Sequence, residues 1–183
     1  MNPYIYTKKN RSKCDGRVFD IYTFKNLFND IVIVEVFHYS DNVYVIKFFL
    51  KKHRLSNNRY SLQYDSKLPN YYRKCTQNFI RCLDTIFNIG LDYLKSDNLA
   101  SFGFMGAPRV KELSKLNDDK TVSNTNRYRV YKSYSLRYFS PQKFLFIDSE
   151  SSSIFFIRNE NNKNALPKNK VMKIIKSEII PNL

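Results

Sequence analysis

The residues best suited to chemistry lie in the segment 102–139. An apolar run there ends at Gly106, and a charged loop leads to Asn124, which Arg127 follows closely. The amides and the dipole at the start of a helix attract anions, and a guanidinium group binds phosphate through two parallel hydrogen bonds. We therefore expect an anion-binding site in this segment. Its expected contacts are Gly106, Arg109, Asn124, Thr125, Arg127, Arg129 and Lys132.

Plainer interpretations of the same segment remain open. Arg127 could pair with a carboxylate at the edge of the core, or it could cap a strand carbonyl. The tyrosines of residues 128–138 could stack on nucleic-acid bases, although tyrosines at helical spacing are more typical of a core.

Catalytic residues are harder to identify. Of the two histidines, His53 in the basic turn 51–54 is the better candidate for the general base of a metal-free ribonuclease, and a solvated turn histidine is the alternative. The sequence contains no glycine-rich phosphate loop, no dinucleotide fingerprint and no metal-binding His/Cys spacing. We therefore expect no cofactor and no metal, and whether the chain is an enzyme stays open.

A net charge of +15 over 183 residues indicates a polyanionic partner, with RNA favoured. The same excess of lysine is typical of AT-rich genomes, so the charge alone does not establish a polyanionic partner. Arginine discriminates for phosphate better than lysine. The arginines between positions 109 and 158 therefore carry this prediction.

The expected compartment is the cytoplasm. Cys14, Cys75 and Cys82 have no metal spacing and leave an odd thiol in any disulfide scheme, which favours a reducing environment. No signal peptide is visible at the start, and no apolar run approaches the length of a membrane span. We expect no membrane partner.

The first half of the chain predicts a sheet followed by a helix. Residues 31–39 and 43–50 form a hairpin, in which a tight turn at Asp41-Asn42 would place Val36 opposite Lys47. A third strand is expected near 60–64, and 18–24 is a weaker candidate. Residues 71–95 have the apolar spacing of a core helix.

The second half predicts a strand at 99–105, a long charged loop, and a segment 124–139 that fits either a helix or a strand. We choose the helix because Asn124-Thr125 offers a cap and Ser140-Pro141 a stop. A second hairpin (144–147 and 154–158) and a helix to about residue 180 complete the chain. The prediction is a single α+β domain, 1–183, with a basic arm at 1–17. Its mostly antiparallel sheet is packed by two or three helices, in the order β-β-β-α-β-α-β-β-α.

Two resemblances accompany this pattern. The run 104–107 (FMGA) followed by 124–131 (NTNRYRVY) is similar to small uncharacterised bacterial proteins in which a strand ends in glycine before an arginine-rich helix. The order of elements resembles the latter part of a GCN5-related N-acetyltransferase. That resemblance implies a glycine-containing loop that holds the pyrophosphate of coenzyme A, whereas the matching residues 68–74 (LPNYYRK) contain no glycine. No catalytic residue is carried over.

Three functions follow as expectations. The first is a nucleic-acid-directed protein, with RNA favoured, of a toxin–antitoxin or phage-defence system. The second is an acetyltransferase-like enzyme with an altered or lost cofactor site. The third is a protein-interaction module whose charge reflects genome composition.

Overall fold

A computed structural model describes residues 2–14, 16–56, 59–60, 71–108 and 110–182. The strands are β1 (Tyr6–Cys14), β2 (Arg17–Lys25), β3 (Ile31–Tyr39), β4 (Val43–Leu50), β5 (Ser101–Met105), β6 (Phe144–Ser149) and β7 (Ile154–Asn159). The helices are α1 (Tyr71–Ser96), α2 (Asn126–Ser135) and α3 (Lys168–Ile174). Short helical turns include Lys51–His53 and Val110–Lys115, and a π-helical turn, Ile175–Ile179, follows α3.

The strands form one sheet in the order β1-β2-β3-β4-β5-β7-β6. Every described pair of neighbours is antiparallel except β4 and β5, which are parallel and are joined by α1. The α+β class, the mostly antiparallel sheet and the predicted order of elements are confirmed. Within the basic arm, Tyr6–Cys14 is the edge strand β1. Most of the third predicted strand, 61–64, lies outside the described residues.

The predicted register of the central hairpin is wrong by one residue. Val36 lies opposite Ile46, and Lys47 lies opposite Glu35. Residues 40–42 all lie between the last pair of strand residues, Tyr39 and Val43, so the loop has three residues instead of the two that the prediction assumes. Asp41 and Asn42 both have positive φ, of 57°, a conformation that Asp and Asn tolerate. A shift of one residue moves every side chain to the other face of the sheet.

The two faces of the sheet are covered by different helices. Side chains such as Val36 and Ile46 pack with α1 and α2, whereas Val43 and Val45 pack against α3 on the opposite face. Both faces of β4 are therefore covered near its start. This arrangement follows from the apolar residues on both faces of β3 and β4.

Helix α1 is the predicted core helix. Its buried residues recur at helical spacing, and Gly90 lies on that buried side, where a β-carbon would be 3.7 Å from Ile46 and Phe102. The absence of a side chain at Gly90 therefore allows a close but uncrowded contact with the sheet. Among the helices in the described ranges, none is both long enough and apolar enough to span a membrane.

Gly106 follows β5 at the place where α2 crosses the end of the strand. A β-carbon at this position would lie 2.3 Å from the backbone nitrogen of Tyr128 and 2.5 Å from the hydroxyl oxygen of Thr125. The glycine is thus required by the approach of the α2 backbone. The space beside Gly106 is thus occupied by α2 of the chain itself. The expectation that Gly106 brings a ligand close to the backbone stays a prediction.

We predict that Gly106→Ala destabilises the protein by about 3 kcal/mol, because the added methyl group meets backbone rather than a movable side chain. Urea unfolding monitored by circular dichroism measures the change. The matched control is Gly90→Ala, whose methyl group makes ordinary contacts and gains up to about 1 kcal/mol of helix propensity. Equal free energies of unfolding for the two variants would contradict the crowding at Gly106.

Candidate nucleic-acid interface

The start of α2 is formed as the sequence predicts, with Thr125 as its N-cap. The Thr125 hydroxyl oxygen accepts a hydrogen bond from the Tyr128 amide (3.2 Å), and the hydroxyl donates to the Gly106 carbonyl (2.7 Å). The Asn126 amide donates to a carboxylate oxygen of Glu112 (3.3 Å). A carboxylate of the chain itself therefore contacts the helix start, where an external anion is expected. The anion site there stays a prediction.

The other expected contacts also have partners within the chain. The amide of Asn124 donates to the Glu150 carbonyl (2.9 Å). Arg129 donates to the side-chain oxygen of Asn126, and Lys132 forms an ion pair with Asp148. Arg109 lies outside the described residues.

Arg127 connects α2 to the segment after β4. Its guanidinium group donates a hydrogen bond to the backbone carbonyl of Tyr60. Capping of a strand carbonyl was one of the open interpretations of this arginine; the carbonyl that it contacts belongs to a turn residue instead. The contact also brings the start of α2 next to residues 59–60.

The tyrosines of α2 are part of the core. Tyr128, Tyr131 and Tyr134 are each less than a tenth exposed, and they pack in the cluster between the sheet and α1. Their rings are therefore not available for stacking on nucleic-acid bases. The more common interpretation of tyrosines at helical spacing is the correct one here.

Basic side chains gather where the parallel strands end. Strand β4 continues from Lys47 to Leu50 beyond its last pairing with β5, and the turn Lys51–His53 follows directly. The Arg59 guanidinium lies 5.1 Å from the ring centre of Phe49, near the end of β4. We call this group the basic end. Its members are Lys51, Lys52, His53, Arg54, Arg59, Arg127 and Arg129.

His53, the candidate general base, belongs to the basic end. Its Nε2 atom is buried and has no hydrogen-bond partner among the residues that the structure describes. Acidic groups near the basic end include Asp30, which pairs with Lys52 at 3.1 Å, and Glu112. Exposed cations outnumber carboxylates in this region, so its surface is positive.

Many carboxylates of the chain are held by tyrosine hydroxyls. The pairs are Tyr6–Asp92, Tyr44–Asp97, Tyr60–Glu35, Tyr93–Asp20, Tyr128–Asp148, Tyr134–Asp84 and Tyr138–Asp84. Burial, and then the neighbouring carboxylate, raises the pKa of each of these phenols, so they remain protonated donors. Three of these acids, Asp20, Glu35 and Asp84, are buried.

Asp20 is the centre of a cluster that the sequence did not reveal. Its side chain is fully buried, and it accepts hydrogen bonds from Arg11 (2.9 Å) on β1 and Tyr93 (2.5 Å) on α1. Lys8 and the Nε2 atom of His38 lie 3.0 Å and 3.1 Å from the same carboxylate. Burial alone would raise the pKa of Asp20, but the hydrogen bonds from Arg11, Tyr93 and Lys8 outweigh it and hold the pKa far below its usual value.

This cluster attaches the basic edge strand to the sheet and to α1. The side chains of Lys8 and Arg11 remain 48% and 60% exposed, so they keep contact with water while they pair with Asp20. Burial lowers the pKa of His38, against the opposing attraction of Asp20. An imidazole that is neutral near pH 7 is then one of the donors to the carboxylate.

We predict that Asp20→Asn costs about 3 kcal/mol of stability at pH 7, because the amide leaves several donors around a buried position without their carboxylate. The folded-state pKa of Asp20 lies below the unfolded value of 3.8. The carboxylate therefore contributes its stability above pH 3.8 and loses it as the pH falls below that value. The difference between wild type and variant should narrow in acid, as measured by urea unfolding across pH.

Asp118→Asn, in an exposed loop, is the control, and it should change the stability by less than about 0.5 kcal/mol. An Asp20→Asn variant with wild-type stability at pH 7 would show that the cluster does not hold β1.

The chain has been compared with protein-family models, with curated proteins and with solved structures. None of the three comparisons gives a match. A function for this chain therefore has to be argued from its own residues.

Proposed function

We propose that this protein binds single-stranded nucleic acid, RNA in the first place, through the basic end. The observation that supports the proposal is the gathering of cations at the carboxyl ends of β4 and β5, contributed by the turn after β4, residue 59 and the start of α2. A small toxin–antitoxin or phage-defence system is the proposed setting.

The chemistry of the basic end suits a phosphate backbone. Arg54 and Arg129 are exposed, and a guanidinium group can make two parallel hydrogen bonds to one phosphate. Each phosphate that is neutralised releases condensed counterions, which supplies sequence-independent affinity.

The test removes three exposed cations of the basic end and compares the result with an equal loss of charge elsewhere. The test variant carries Lys51→Gln, Arg54→Gln and Arg129→Gln. The control variant carries Lys163→Gln, Lys168→Gln and Lys173→Gln, which are exposed positions in and near α3. Binding of a fluorescent single-stranded RNA is measured by anisotropy across salt concentration.

We predict that the test variant binds about 50-fold more weakly near 0.15 M salt and that its log–log salt slope is shallower by about 2, as expected for three lost phosphate contacts on a single strand. The control variant should keep the wild-type slope, and neither variant should change its melting temperature much. Equal losses in both variants would mean that only net charge matters, and absence of RNA binding by the wild type would overturn the proposal.

A second candidate is an acetyltransferase-like enzyme, and one specific observation favours it. The pairing of the parallel strands stops at Ile46 and Phe104, whereas β4 continues to Leu50. Nucleotides bind in α/β sheets in the crevice outside the carboxyl ends of parallel strands. The same cations could then contact the phosphates of coenzyme A. The residues that would replace the family's pyrophosphate loop, 68–70, lie outside the described residues.

If the second candidate is correct, acetyl-coenzyme A at 100 times its Kd should stabilise the protein by about 2.7 kcal/mol through mass action. For a chain of this size the melting temperature would rise by about 5–10 °C. Differential scanning fluorimetry with acetyl-coenzyme A, and with the RNA as the comparison ligand, separates the two candidates. A protein-interaction module that binds neither ligand would show no change in melting temperature with acetyl-coenzyme A or with RNA.

A further inference from the structure

Lys47 is a buried lysine outside the basic end. It lies on the face of the sheet that carries α3, further along β4 than Val45, which packs against that helix. Only 8% of the residue is exposed, and its Nζ atom is 5.0 Å from the ring centre of Phe37 and 5.5 Å from that of Tyr60. The amine is therefore held between two aromatic rings.

The charged groups that face Lys47 come from three directions. Glu35 is its direct partner on β3. Arg17 on β2 lies with its guanidinium 5.9 Å from the Phe37 ring, and the Arg59 guanidinium is 4.8 Å from the Tyr60 ring. Burial lowers the pKa of Lys47 to about 8; Glu35 opposes the shift, and Arg17 and Arg59 add to it. Near pH 8 about half of the protein molecules carry a neutral Lys47 amine, compared with about one in 300 for a lysine with the ordinary pKa of 10.5.

A proton donor lies beside the amine. The Tyr60 hydroxyl donates to a carboxylate oxygen of Glu35 (2.8 Å) and accepts a hydrogen bond from Arg59 (3.0 Å). The hydroxyl is thus part of a short chain of acid–base groups next to Lys47. Lysines become nucleophiles when they are desolvated or placed beside other cations, and both conditions hold here.

We propose that Lys47 is a reactive amine that forms an imine with a small phosphorylated aldehyde or ketone. The neutral Nζ adds to the carbonyl carbon, the oxygen departs as water, and the carbon–nitrogen double bond forms. The two hydrogens of the amine leave in that water, so no oxidant or reductant is needed. The Tyr60 hydroxyl donates the proton that the departing oxygen requires and recovers one from the Nζ side.

The side chains around Lys47 are the reason for proposing a phosphorylated carbonyl compound. The guanidinium groups of Arg17 and Arg59 lie by the same two rings as the amine, and guanidinium groups are suited to a phosphate on the ligand. The rings of Phe37 and Tyr60 provide walls for a flat or apolar carbonyl compound. Tyr60 is only partly buried, so this side of the site is the one closer to solvent.

The test uses pyridoxal 5′-phosphate as a phosphorylated aldehyde and the intact chain at pH 8. Borohydride reduction fixes the imine, and peptide mass spectrometry then locates it. Lys47 should be modified about 10-fold or more in excess of exposed lysines, because its larger neutral fraction outweighs its restricted access. Pyridoxal, which lacks the phosphate, should modify Lys47 less, and Lys47→Arg should abolish the selective modification.

Tyr60→Phe separates a role in proton transfer from a role in packing. The variant keeps the ring next to Lys47 and Phe49 but removes the hydroxyl group and its hydrogen bond to Glu35, so the melting temperature should fall. Labelling is therefore compared at a temperature at which both proteins are folded, and imine formation by the folded variant should be slower. Modification spread over exposed lysines with Lys47 untouched in the wild type would overturn the proposal. Equal modification by pyridoxal and its phosphate would overturn the phosphorylated class. Neither result depends on whether the protein binds RNA.

Discussion

The structure depends on carboxylates that accept hydrogen bonds from tyrosine hydroxyls. These bonds join elements that are far apart in the chain: Tyr93 of α1 donates to Asp20 of β2, and Tyr134 of α2 donates to Asp84 of α1. Hydrogen bonds to a charged group contribute about 1.5–3 kcal/mol each, which is more than a neutral bond provides. The same interaction therefore assembles the sheet with its helices.

The basic end differs from a surface that is rich in lysine only through genome composition. A surface rich in lysine through genome composition alone would spread its cations evenly and would intersperse them with acids. Here Glu35 is bound to Tyr60 and Asp20 to Tyr93, both below the surface, whereas Lys51 and Arg54 remain exposed. Cations also converge at the ends of the parallel strands, which is where phosphate-bearing ligands bind in other sheets. The two proposed ligands, RNA and a nucleotide cofactor, would therefore share the same part of this molecule and would differ in how many phosphates are contacted.

The sequence allowed prediction of the elements whose cause is local. The alternation of β3 and β4, the apolar spacing of α1 and the Thr125 cap of α2 are all decided within a few residues. The register of the hairpin was missed because the conformations of Asp41 and Asn42 also fit a two-residue turn, whereas the observed pairing leaves Ser40 in the loop as well.

The site could be predicted less well, for a different physical reason. Arg127 was identified as important, but its partner, the carbonyl of Tyr60, is 67 residues away. Asp20 collects donors from β1, β3 and α1, and no spacing in the sequence links Lys8 with Tyr93. Gly106 was assigned to a ligand because a glycine after a strand permits close approach, and the approaching group is the backbone of α2. Pattern reasoning indicated a close contact there without indicating what makes it.

The buried pair of Glu35 and Lys47 is hard to explain as a contribution to the stability of the fold. Opposite charges that face each other inside a protein lose most of their attraction to desolvation, and apolar residues of similar size are often at least as stable in their place. Apolar side chains would fit the surroundings, since Phe37 and Phe49 already lie on this face. Burial also lowers the pKa of the Lys47 amine to about 8, so a larger fraction of it is neutral than in an ordinary lysine. A lysine kept in that state, beside a tyrosine that can transfer a proton, is better suited to reaction with a carbonyl compound than to supporting the sheet.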